Sequence, residues 1–65
     1  MNLITIHTKI KNHFKSGAVV LLKEESSQIV VKARHIYNSD MLLLKSFNRD
    51  IKNICINKKE LTLNF

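Results

Sequence analysis

Apolar residues in this chain come in short blocks separated by polar clusters, and the spacing within the blocks changes along the sequence. In the first block, Leu3, Ile6, His7, Ile10 and Phe14 fall on one face of a helix, and Lys9, Asn12 and Lys15 fall away from it. Asn2 is placed to cap the start, and Gly17, the only glycine, stands where a helix ends in a left-handed residue. The β-branched run Ile4-Thr5-Ile6 with Thr8 and Ile10 also alternates as a strand, so that alternative stays open beside the preferred helix.

From residue 18 the pattern turns to strands. Ala18–Lys23 is nearly continuous in apolar residues, which predicts a strand covered on both faces. The polar Glu24-Glu25-Ser26-Ser27, without glycine, predicts a hairpin loop longer than a tight two-residue turn. The central stretch Gln28–Leu44 reads as strand, turn, strand. Ile29, Val30, Val31, Ile36 and Tyr37 favour extended backbone, and Asn38, Ser39 and Asp40 are turn formers. Further strands are predicted at Met41–Phe47, Ile51–Ile56 and Leu61–Phe65. The last alternates, with Leu61, Leu63 and Phe65 inward and Thr62 and Asn64 outward. Asn48-Arg49-Asp50 and Asn57-Lys58-Lys59-Glu60 supply the intervening turns.

The predicted fold is mainly β (α+β): an N-terminal helix within 1–16, then a five-stranded antiparallel small barrel over 18–65, all in one domain spanning 1–65. A meander of five strands avoids two open edges by closing into a barrel or by pairing edges between subunits. A chain of 65 residues buries only about 60% of the surface that its unfolded form exposes. The single Cys55 forms no internal disulfide, and His7, His13 and His35 lack zinc-site spacing, so a homo-oligomer is the expected added support and no metal or cofactor is expected. No apolar run reaches the length of a membrane span, no signal-peptide pattern opens the chain, and the lone cysteine fits a reducing compartment, which together predict a cytoplasmic location.

Charge sharpens this picture. Eleven Lys and Arg against five Asp and Glu give a net charge of +6, which favours polyanions, nucleic acid first. Lys32, Arg34, Lys58 and Lys59 are the candidate phosphate contacts, with His35 extending the stripe and Tyr37 a candidate stacking platform. Alternation sends Lys32 and Arg34 to one face. A plain solvated surface accounts for the same lysines, and Tyr37 suits a core as well as it suits a base. Phe14, Phe47 and Phe65 are expected in the core, as is Cys55 between Ile54 and Ile56. No histidine stands in a recognisable relation to a carboxylate or nucleophile, no two acidic residues form a marked pair, and a single glycine makes no phosphate-cradling loop, so no enzyme is expected.

This pattern resembles the Sm-like small barrels, the family of the Hfq-like and Rof-like proteins, and more broadly SH3-like barrels. The residues that carry the resemblance are Val19–Leu22, Gln28–Ile36, Met41-Leu42-Leu43-Leu44-Lys45, and Ile54–Thr62 with its polar turn. The resemblance implies a ring-forming RNA-binding regulator whose Lys58-Lys59 turn approaches the pore. The bend of the second strand carries Ala33 where the family often has glycine, and the turn reads Lys58-Lys59 in place of a Lys-His pair. The alternative expectation is a protein-interaction module, a small inhibitor or adaptor of a larger machine such as a transcription or defence complex, of the kind that mobile elements encode. A purely self-assembling ring is a third.

Overall fold

The structure is a computed structural model that describes residues 2–14 and 17–65. Helix α1 runs Leu3–Phe14. Asn2 caps it: its side-chain oxygen accepts the Thr5 backbone N–H at 2.8 Å, and its carbonyl accepts that of Ile6 at 3.2 Å. The apolar stripe is the expected one, with Ile6 and Ile10 buried and Leu3 and Phe14 packed beside them. The helix thus wins over the strand alternative because its periodic face finds a sheet to cover. Residues 1, 15 and 16 of the expected helical segment lie outside the described residues. Gly17 takes the left-handed conformation, with φ +86°.

Four strands follow: β1 (Ala18–Lys23), β2 (Gln28–Ala33), β3 (Asn53–Ile56) and β4 (Glu60–Asn64). They form one antiparallel sheet in the order β1-β2-β4-β3, so β4, last in sequence, lies between β2 and β3. A short 3₁₀ turn at Glu24–Ser26, closed by Ser27 with φ 50°, joins β1 to β2. This is the longer, glycine-free loop that the sequence implied.

One face of the sheet carries the core. Ile29, Val31, Leu61 and Leu63 point into it, and Ile6, Ile10, Leu44 and Phe47 cover them. Helix α1 packs on the β1 side. The opposite face has no covering layer among the described residues. Burial therefore alternates along β1, leaving Val19 and Leu21 exposed, and the expectation that this strand is covered on both faces is corrected. An unbroken apolar run does not by itself give two-sided burial.

The larger departure lies at 38–50. The predicted strand Met41–Phe47 is instead part of a 3₁₀-helical segment, Asn38–Asp50, interrupted at Phe47 with φ −134° and ψ 26°. Two features select the helical form. Asp40 folds back at its start, its carboxylate accepting the Tyr37 N–H at 2.8 Å while the Asp40 N–H donates to the Tyr37 carbonyl at 3.0 Å. The inward residues Met41, Leu44 and Phe47 then recur every third position, the repeat of a 3₁₀ helix, and Leu42 is left in water. Leucine and methionine also favour helix over strand. With this segment helical, and β2 ending at Ala33 rather than Tyr37, the sheet has four strands and stays open at β1 and β3 instead of closing into a five-stranded barrel.

Candidate nucleic-acid interface

The connection between β3 and β4 is a tight turn. The Asn57 N–H donates to the Glu60 carbonyl at 2.9 Å, and the Asn57 side-chain oxygen accepts the Lys59 and Glu60 N–H groups at 2.9 and 2.8 Å. That asparagine fixes the turn and leaves Lys58 and Lys59 exposed at its tip. The turn lies alongside the exit of β2: Ala33 N–H donates to the Lys59 carbonyl at 2.9 Å, and Ile36 N–H donates to the Lys58 carbonyl at 2.8 Å. Lys32, Arg34 and His35, all exposed, are thereby held next to Lys58 and Lys59 at one end of the sheet.

Most of the residues expected in the site thus meet, though not through the alternation that was expected to align them. Regular pairing of β2 stops at Ala33, so the ladder places Lys32 but not Arg34. Lys32 lies on the uncovered face, opposite Val19 on one side and Glu60 on the other. Tyr37 is 62% exposed and stacks at a tilt on His35, with ring centroids 4.3 Å apart and planes at 50°. It belongs to the surface and not to the core. Phe47 is in the core as expected, at 2% exposure, and Phe14 and Phe65 pack against it from the margin. Cys55 is exposed, which corrects its expected burial: β3 is an edge strand with all four residues open to solvent.

Between the end of α1 and the 33–40 segment is a cleft of about 270 Å³, lined by His13, Phe14, Ala33, Arg34, His35, Tyr37 and Asp40 among others. Two of these lining residues meet: His13 Nε2 lies 2.9 Å from Asp40 Oδ1. Partial burial works against ionisation of Asp40. The hydrogen bonds from His13 and from the Tyr37 backbone, with the nearby His13 and His35 rings, outweigh that burial and hold the carboxyl below its ordinary value of 3.8. Sequence reasoning missed this pair because 27 residues separate its members. Only the turn-forming character of Asn38-Ser39-Asp40 hinted that Asp40 had a local task.

The cleft and the basic end can hold an anionic, partly aromatic ligand: cationic side chains on the rim, an exposed stacked ring pair, and one carboxylate already engaged by its neighbours. No group of three or more His, Cys, Asp or Glu among the described residues is placed to hold a metal ion. No described helix is long and apolar enough to cross a membrane. No family model, curated protein or solved structure matches the chain.

Proposed function

We propose that the protein is a small non-enzymatic regulator that binds RNA through the basic end of its sheet. The observation that supports this reading is the backbone pairing of residues 33–36 with Lys58 and Lys59, which gathers Lys32, Arg34, His35, Lys58 and Lys59 beside the exposed Tyr37. The cations engage phosphates and release counterions, and Tyr37, steadied by His35, offers a face to an unstacked base. Single-stranded RNA suits this arrangement better than a duplex does, because a stacked duplex base has no free face to give to Tyr37. The reading draws on a local cluster of charge and needs neither a closed barrel nor a ring.

The test is titration of a fluorescent single-stranded RNA, and of the matching DNA, at several salt concentrations. Binding should weaken steeply with salt. Changing Lys58 and Lys59 together to alanine should reduce the slope of log K against log salt by about 1.4, two single-strand contacts at about 0.7 each. Absence of binding at low salt, despite the net charge of +6, would sink the reading.

A further inference from the structure

We propose that the free edge of β3 is a docking site for an extended acidic segment of a partner protein, which joins the sheet as an added antiparallel strand. The inference stands on the geometry of the two sheet edges and does not depend on nucleic-acid binding.

Antiparallel strands alternate between residues that exchange backbone hydrogen bonds with the neighbour and residues whose groups point the other way. At β3, the Asn57–Glu60 bond together with the register Cys55 to Thr62 and Asn53 to Asn64 makes Asn53, Cys55 and Asn57 the inward-bonding residues. The N–H and C=O groups of Ile54 and Ile56 therefore face the open side. The same reasoning applies to the other edge. Phe65 N–H to the Ser27 carbonyl and Ala33 N–H to the Lys59 carbonyl assign the odd-numbered residues of β2 to β4. Val19, Leu21 and Lys23 of β1 then bond to β2, and the groups of Val20 point outward. That position is already taken: the His7 ring, from α1, donates through Nε2 to the Val20 carbonyl at 3.2 Å. The β1 edge is stopped at its middle, and the β3 edge is not.

The β3 edge is short, four residues, but the strand itself, Asn53-Ile54-Cys55-Ile56, carries neither charge nor proline to deter pairing. Ile54 and Ile56 stand opposite the core residues Leu63 and Leu61, yet they are 38% and 52% exposed. The apolar layer of the sheet thus continues to an edge that α1, which packs on the β1 side, does not cover.

Charge identifies the occupant. Lys52 lies just before β3, at a bulge where its N–H turns inward to the Asn64 carbonyl at 2.7 Å, and Lys58 lies in the turn just after β3, so an exposed lysine flanks each end of the open edge. An incoming strand that satisfies all four open backbone groups carries apolar residues against the two isoleucines and an acidic residue toward each end, within reach of the flanking lysines. A second copy of this chain fits poorly. Pairing Ile54 with Ile56 of another copy brings Lys52 of each toward Lys58 of the other, and like charges placed opposite one another destabilise a strand pair. The net charge of +6 on each molecule adds repulsion.

The experiment uses the full chain and a fluorescein-labelled peptide with glutamate at both ends, valine at the two central alternate positions and threonine between. Saturable binding is expected by anisotropy, with the largest amide shifts in the nitrogen-15 spectrum at Ile54 and Ile56. N-methylation of the two peptide amides that face β3 should weaken binding roughly tenfold or more, as loss of two backbone hydrogen bonds predicts. Ile56→Pro should do the same from the protein side, and the methylated peptide decides the matter even if that variant does not fold. Failure to bind at millimolar peptide, equal binding of the methylated peptide, or a concentration-dependent dimer that protects the Ile54 and Ile56 amides would each overturn the proposal.

Discussion

Leu42 and Leu44 provide the sharpest test of the 3₁₀ segment. In a strand, residues two apart share a face, so the two leucines would have similar surroundings. In the structure Leu44 is 4% exposed and Leu42 is 61% exposed. Truncation of a buried leucine to alanine costs about 2–5 kcal/mol, from lost transfer free energy and the cavity left behind. A mostly exposed leucine away from special features costs about 0.5 kcal/mol or less. At roughly 0.05–0.15 kcal/mol per residue, a chain of 65 residues has a total stability of only about 3–10 kcal/mol. Leu44→Ala therefore removes a large share of the fold's stability, and Leu42→Ala almost none. One kcal/mol moves Tm by about 4–8 °C in a domain of this size, so thermal melts by circular dichroism should place Leu44→Ala at least about 6 °C below Leu42→Ala. If Leu44→Ala leaves too little folded protein, the pair Leu42→Val and Leu44→Val gives the same contrast at smaller amplitude. Equal losses at the two positions would refute the helical register and restore the strand.

Two further outcomes follow from the site. Because the folded pKa of Asp40 lies below 3.8, the unfolded chain binds a proton there before the folded one does. Its contribution to stability is present above pH 3.8 and is lost as pH falls through the lower folded value, so urea midpoints measured from pH 6 down to pH 2 should fall less steeply in Asp40→Asn than in the parent. Asn57→Ala removes the acceptor for the Lys59 and Glu60 N–H groups. It should cost about 1–2 kcal/mol in urea unfolding, with faster hydrogen exchange at those two amides and at Ala33, whose partner is the Lys59 carbonyl.

The legible parts of the fold were those governed by local periodicity. The stripe Leu3, Ile6, Ile10, Phe14 with an asparagine before it and a glycine after it marked α1, and the alternation from Leu61 onward marked β4. Met41–Phe47 was not legible in the same way. A run of four apolar residues lacks the polar alternation that separates a period of two from a period of three, and the hydrogen bond that the Tyr37 N–H donates to the Asp40 carboxylate favours the helical start. The basic residues of the candidate interface were visible as charges. Their gathering was not, because it depends on two backbone bonds between segments more than twenty residues apart, Ala33 to Lys59 and Ile36 to Lys58. Cys55 was misread for a related reason: apolar neighbours imply burial only if the strand is interior, and strand order is a long-range property.

The central position of β4 has a consequence for how the chain reaches this fold as it is synthesised. Until residue 60 and its successors are made, the sheet can be no more than the β1–β2 hairpin, with β3 waiting for a neighbour. A lone hairpin is marginal in water. Among the described elements α1, which packs on the β1 side, is the one that can steady that hairpin before β4 arrives. β4 then bonds to β2 on one side and β3 on the other, so one strand joins the two parts of the sheet.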